Sequence, residues 1–267
     1  QLARGMLGFY HNFWGLAFQS VKSRLPRWSH GLTERALGQM IRRRIGRMRE
    51  TTREYLQGVS EGSGIDLELV GLVCLLPDLL PYLQGKRVQW GPAVYRSPQL
   101  GCTSLIARSD AGLVYGRNLD FPGVGYWDRF PVVQLSRKKN AIPSLHFTTM
   151  GIPLGGITGL NAEGISVSLH QHYSAQVNWR GELPFEVGEE ILDKAKSLED
   201  AKEVLSRSRL GSAWAFVVCD YQARDGFIYE ADSRYHGLRR LSQQPSMSHS
   251  NYFRTAACQV GEFSTSE

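Results

Sequence analysis

The chain has 267 residues, 42% apolar and 21% charged, with a formal net charge of +6. This is ordinary globular usage, and it excludes a disordered tail, a collagen-like repeat and a coiled coil. The basic excess is lopsided, +7 over residues 1–101 against −1 over 102–267. Arg42, Arg43, Arg44, Arg47, Arg49 and Arg53 carry most of it; at helical spacing they surround a helix instead of lining one stripe, which argues for a solvated face or a clamp on an acidic neighbour and against a nucleic-acid footprint.

The start at Gln1 in place of Met gives the expectation of a trimmed chain, and the first twenty residues hold no intact signal peptide; the sequence does not fix the compartment, an exported or lysosome-like soluble protein being one option. Residues 34–59 read as one helix opened by Thr33 and Glu34, with Gly58 near its end. Gly62-Ser63-Gly64 is a turn. Asp66 looks like the N-cap of a helix through Cys74 and Leu75 that Pro77 stops. The apolar stretch from Leu67 to Leu83 is broken by Glu68, Pro77, Asp78 and Pro81, so it is no membrane span. Residues 91–101 hold two prolines and two glycines and read as a connector.

From residue 102 the apolar period becomes two. Strands are expected over 103–109, 113–118, 131–136, 144–150, 156–160 and 164–170. Asp110-Ala111-Gly112 and Asn161-Ala162-Glu163-Gly164 are turn signals. Helices follow over 184–196 and 198–208, then strands over 213–219, 226–231 and 238–241. Strands, two helices and strands again predict an α+β sandwich of antiparallel sheets.

Four scattered cysteines with no CxxC pair make no disulfide scaffold or zinc ribbon. P-loop, HExxH, GxSxG and GxGxxG patterns are absent. His170-Gln171-His172 is a lone HxH that reads more readily as hydrogen-bonded histidine than as a metal site, and no cofactor is expected. Gly101-Cys102-Thr103-Ser104 falls where the basic helical part meets the strands. A cysteine there can attack the carbonyl behind it, and Gly101 has no side chain to obstruct the attack. An N-to-S acyl shift followed by hydrolysis leaves Cys102 as a new N-terminus. Its α-amine, with an ordinary pKa of about 7.7–8.0, serves as the base for its own thiol. The alternative is an ordinary buried cysteine. Downstream, Arg117 is placed to favour the thiolate and Asp120 to orient the α-amine, although an Arg–Asp pair is equally a structural device.

With Cys102-Thr103-Ser104, Gly116-Arg117-Asn118-Leu119-Asp120, Gly159-Leu160-Asn161-Ala162-Glu163-Gly164 and Ser248-His249-Ser250-Asn251 in this order, the chain resembles the N-terminal-nucleophile (Ntn) hydrolases of the choloylglycine hydrolase, acid ceramidase and penicillin acyltransferase type. The resemblance runs from about residue 60 to 255. It implies an αββα sandwich and a helical prosegment, residues 1–101, that stays associated with a catalytic core, residues 102–267, after self-cleavage between Gly101 and Cys102. It implies Cys102 as nucleophile, Arg117 and Asp120 as its partners, and Asn161 and Asn251 as oxyanion donors. The reaction implied is cleavage of a linear N-acyl amide, small or lipid-like, through a thioester. Transfer of the acyl group to an amine, or a non-catalytic binding role, are the alternatives. The late arginine of the family has no match before Glu267. Tyr126 and Trp127 are candidates for the rim of the substrate pocket. A homo-oligomer remains open.

Overall fold

The computed structural model describes residues 30–90, 101–120, 131–149 and 157–263. These fall into two compact units, one covering residues 30–77 together with 149 and the other 78–90, 101–120, 131–148 and 157–263.

The first unit is helical. The single helix expected over 34–59 is two, α1 (His30–Ile45) and α2 (Glu50–Ser63). The chain breaks at Gly46, one of three glycines in the run and so a weak helix former, while Gly38 and Gly58 stay helical. Gly58 sits inside α2, and Gly64, at φ 71°, supplies the left-handed cap that closes it. The third helix, α3 (Leu67–Trp90), begins in this unit. Gly71 lets α3 approach α1 closely, because a Cβ there would lie 2.3 Å from Ile45 Cδ1. Arg42 pairs with Glu68 at 2.7 Å, so one of the clustered arginines is a clamp, while Arg43, Arg47 and Arg53 are exposed.

Pro77 does not stop α3. A proline inside a helix costs about 3 kcal/mol in a lost hydrogen bond and a clash. The helix offsets that by burying Val70, Leu72, Val73, Cys74, Leu75 and Leu79 on several faces.

The second unit holds the end of α3 and two antiparallel sheets. Strands β1 (Cys102–Ser109), β2 (Gly112–Leu119), β3 (Pro131–Ser136), β4 (Ser144–Thr149), β5 (Thr158–Asn161) and β6 (Ile165–Gln171) precede helices α4 (Pro184–Lys194) and α5 (Leu198–Arg207). Strands β7 (Trp214–Asp220), β8 (Asp225–Ala231), β9 (His236–Arg240) and β10 (Ser246–His249) follow, then a short α6 (Ala256–Gln259). One sheet runs β10-β1-β2 and the other β3-β4-β5-β6-β7-β8-β9. The expected strands all form, with ends moved by one or two residues. Strand β10 was not anticipated: Ser246-Met247-Ser248-His249 alternates, but over four residues only.

Period-two alternation sorts the faces. On β6, Val167 and Leu169 face α4, while Ser168 and His170 face the three-stranded sheet, where they meet Tyr115 and Ser104. On the helix side Gly159 gives way to Leu192 of α4, whose Cδ1 would lie 2.4 Å from a Cβ at that position. Between the sheets Ile106, Leu113 and Met247 pack on Val217, Cys219 and Ile228. The larger sheet has seven strands and the smaller three, and Arg117 of β2 reaches across to Thr158 of β5.

Candidate active site

Cys102 opens β1, the middle strand of its sheet, opposite Leu119 of β2. Its alternation turns Cys102, Ser104 and Ile106 inward; Cys102 is 5% exposed. Strand β10, the neighbour of β1 on its other flank, ends just before Asn251 and delivers it to the site. The Cys102 backbone N–H donates to Asn251 Oδ1 at 2.5 Å, and Asn251 Nδ2 donates to the Gln171 carbonyl at 2.7 Å. A side chain 149 positions away thus holds the nitrogen of the expected nucleophile.

Arg117 lies on the inward face of β2. Its Nη2 is 3.9 Å from Cys102 Sγ and donates to the Leu169 carbonyl at 2.5 Å. Its Nη1 donates to the Ile157 carbonyl at 2.7 Å and to Thr158 Oγ1. Three acceptors on β5, β6 and the residue before β5 therefore fix the guanidinium plane, and a fixed cation beside a sulfur stabilises negative charge on it. Away from the site, burial pushes the Cys219 and Cys258 thiols up to about 12, which keeps them protonated.

Asp120 ends the β2 segment. Asn118 Nδ2 donates to its carboxylate at 3.2 and 3.4 Å. A Cβ placed on Gly101 would lie 3.4 Å from Asp120 Oδ2, so the carboxylate runs alongside the residue preceding Cys102.

The structure does not bring Asn161 to this group. Both Nδ2 hydrogens are spent on the carbonyls of Leu192 and Ala195 at the end of α4, at 3.1 and 2.8 Å. Oδ1 accepts from the backbone of Glu163 and Ile165 at 3.1 and 2.9 Å. With all four bonds satisfied, Asn161 is a turn-holding residue on the helix face of its sheet and has no donor left for an oxyanion. Gly164, at φ 83°, completes that turn. Tyr126 and Trp127 lie outside the described residues.

Sequence reasoning missed the supports. Thr158 and the carbonyls of Ile157 and Leu169 hold Arg117. Beneath Cys102 and Arg117 runs a buried polar layer. Ser104 Oγ contacts His170 Nε2 at 2.6 Å and Tyr115 OH at 2.9 Å, and Tyr115 OH meets Ser168 Oγ. Its signal in the sequence is the alternation Ile165-Ser166-Val167-Ser168-Leu169-His170, small polar residues interleaved with apolar ones on a strand buried on both faces.

Three histidines complete the layer, all neutral. Burial, then the positive charge of Arg117, lowers His170 to about 2, and burial with Arg239 and Arg254 lowers His249 to about 3. His172 is also lowered, first by burial and then by its neighbours His249 and His170. Hydrogen bonding agrees. Arg239 Nη2 donates to His249 Nδ1 at 3.0 Å, so the His249 proton sits on Nε2 and is donated to His172 Nε2 at 2.9 Å. Glu230 Oε1 is 3.6 Å from His249 Nδ1, yet its carboxylate is already filled by the N–H groups of Arg254 and Thr255 and the Thr255 hydroxyl. The HxH pair is thus a hydrogen-bonded element of the inter-sheet layer.

Residues 107–263 match the family model for acyl-coenzyme A:6-aminopenicillanic acid acyl-transferase. Acid ceramidase of Bos taurus is 24% identical over 157 residues, which are 50% of this chain and 40% of that protein; the Pan troglodytes protein is 23% identical over the same shares. The match thus spans under half the length of the curated relatives. Among solved structures, an N-acylethanolamine-hydrolyzing acid amidase ortholog from Caenorhabditis elegans is 20% identical at a TM-score of 0.49, over 60% of this chain and 73% of that one. A mutant conjugated bile acid hydrolase from Clostridium perfringens is 16% identical at a TM-score of 0.42, over 60% and 55%. With the model match covering more than half its length, the chain belongs to the acyl-coenzyme A:6-aminopenicillanic acid acyl-transferase family, within the Ntn-hydrolase superfamily.

Proposed function

We propose that the chain is a self-cleaving cysteine Ntn amidohydrolase that opens a linear N-acyl amide through a thioester on Cys102. The observation that carries this reading is the convergence on one residue of a guanidinium 3.9 Å from its sulfur and an Asn251 amide 2.5 Å from its nitrogen. In maturation, Cys102 Sγ attacks the Gly101 carbonyl carbon; the C–S bond forms, the C–N bond breaks, and the Cys102 nitrogen takes the proton. Water then hydrolyses the thioester, leaving the Gly101 carboxylate and a free Cys102 amine and thiol. In turnover that amine takes the thiol proton as sulfur attacks the substrate carbonyl and passes it to the leaving amine. Arg117 stabilises the thiolate, and the remaining N–H of Asn251 Nδ2 is the side-chain donor available to the oxyanion. Asp120, alongside Gly101, orients the new amine.

The division into a prosegment, residues 1–101, and a core, residues 102–267, is a covalent one and differs from the compact division at residues 77 and 78. Contacts across the cleavage point support continued association. Asp78 accepts from the Trp214 indole at 3.3 Å and from the Ser212 hydroxyl, and Gly85 lies against the Ser174 carbonyl and Val177. Among the described residues no single helix is long and apolar enough to cross a membrane. The family model, named for acyl transfer, supports a second reading in which an amine replaces water as the acceptor.

Intact mass and N-terminal sequencing, wild type beside Cys102→Ala, test the proposal. A Cys102 N-terminus in the wild type alone is expected, together with thiol-dependent release of amine from an acyl amide. An uncleaved, active wild type refutes it, and preferential acyl transfer to an added amine selects the second reading.

A further inference from the structure

Resting on the proposed reaction, we infer that Glu230 is a positioning residue for it. From inside the larger sheet its carboxylate gathers the donors that follow Asn251, and so sets where the Asn251 amide stands against Cys102.

The segment that carries Asn251 lacks a ladder of its own. Strand β10 pairs with β1 as far as His249 opposite Ser104. Continued for two more residues, that register would set Asn251 opposite Cys102, but residues 250–255 form neither strand nor helix. The Asn251 side chain takes the place of the missing rung by accepting the Cys102 N–H at 2.5 Å. A buried backbone N–H needs an acceptor, so the groups that come after Asn251 must find theirs elsewhere.

Two carboxylates supply them. Glu262 Oε1 accepts from the Phe253 N–H at 2.8 Å. Glu230 accepts from the Arg254 N–H at 3.0 and 2.9 Å through its two oxygens, and its Oε2 also takes the Thr255 N–H and hydroxyl, each at 2.8 Å. A carboxylate offers acceptors only, which lets successive donors converge on it, and its charge strengthens each bond. Glu230 is anchored on both flanks, opposite Ala215 of β7 and Gly237 of β9, and is 0% exposed. Gly237 makes the approach possible, because a Cβ there would lie 2.4 Å from Thr255 Oγ1. Arg239 Nε, 3.7 Å from Glu230 Oε1, offsets the buried charge.

Taking a carboxylate out of water is expensive, and an apolar side chain fills a sheet interior as well. Among the described residues every donor that hydrogen-bonds this carboxylate belongs to Arg254 or Thr255, so what it secures is the Asn251 segment. Asn251 Nδ2 spends one hydrogen on the Gln171 carbonyl at 2.7 Å, which fixes the direction of the other. A donor to an oxyanion works over a narrow range of positions, so a small shift of this segment reaches the reaction.

The test uses Glu230→Gln in the full chain, which keeps the shape of the side chain and turns one acceptor into a donor facing N–H groups. Turnover is measured on the octanoyl amide of aminomethylcoumarin, per Cys102 N-terminus found by sequencing. The expected result is a kcat about tenfold lower with KM within about twofold. In an Asn251→Ala background the same substitution costs nothing further, since it acts through that amide. The Asn251 side-chain amide resonances, identified by their loss in Asn251→Ala, shift toward free-amide positions in Glu230→Gln. Thr255→Val removes the hydroxyl bond alone; it is expected to lower kcat about threefold and to shift the same resonances, and it decides the matter should Glu230→Gln not fold. Glu190→Gln, which loses ion pairs to Lys194 and Arg207 in the helix layer, is the control and leaves kcat and the Asn251 resonances unchanged.

Unmoved Asn251 resonances, an unchanged kcat, or an equal loss with and without Asn251 overturns the inference, because the carboxylate then serves the fold alone. A wild type that never hydrolyses the amide refutes the reaction, and the Asn251 resonances still decide the placement.

Discussion

Lowering the pH from 7.5 to 5.0 is expected to destabilise the protein through its buried histidines. His170 and His249 are fully buried and stay neutral until about pH 2 and 3, whereas in the unfolded chain each takes a proton near 6.5. Between those values the unfolded state binds more protons, so stability rises with pH; it is complete above 6.5 and is lost as pH falls. At pH 5.0 the unfolded chain lies 1.5 pH units below its histidine value, which at about 1.36 kcal/mol per unit is roughly 2 kcal/mol per ring, or roughly 4 kcal/mol for the two. His172 adds in the same direction. Asp232 and Glu262, raised by burial, act oppositely and return part of the loss. Set against a net stability of about 5–15 kcal/mol, the change is large. Urea midpoints at the two pH values measure it, and His170→Asn isolates one share by shrinking the difference between them by about 2 kcal/mol. Imidazole resonances of the folded protein that titrate near 6.5, or equal stability at the two pH values, refute the reasoning.

Two substitutions separate chemistry from support. Arg117→Lys keeps a charge but cannot reach the Leu169 carbonyl, Ile157 carbonyl and Thr158 together, so iodoacetamide alkylation of Cys102 is expected to slow at least about tenfold; an unchanged rate counts against the role given to the guanidinium. Asn161→Ala is expected to cost about 3 kcal/mol in urea unfolding, since it strands two carbonyls and two backbone N–H groups, with kcat retained at a permissive temperature, whereas Asn251→Ala lowers kcat about 100-fold. The opposite pattern would restore Asn161 to the reaction.

Much of this is legible in the sequence because it is local. The β1–β2 hairpin, the strand alternation and the Ser197 cap of α5, which accepts the Asp200 N–H at 3.2 Å, all follow from neighbouring residues. Cys102 and Arg117 meet because a two-residue turn pairs their strands. What sequence could not supply depends on contacts at long range. Pro77 reads as a helix stop until the burial around it is known. Strand β10 is too short to declare itself without β1 to pair with. Asn161 fits the motif of an oxyanion donor, and only the end of α4, some thirty residues on, reveals that its amide is consumed. The support of Arg117 by carbonyls carries no side-chain signature at all.

Strand β1 is clasped on both flanks: Ser104 pairs with His249 and Arg117 at once, and Cys102 keeps Leu119 opposite it. Newly made chain ends ordinarily fray. A backbone severed just ahead of this strand would leave its ladders whole, so the liberated nitrogen inherits the rigidity of the sheet interior and needs no later folding step to find its place.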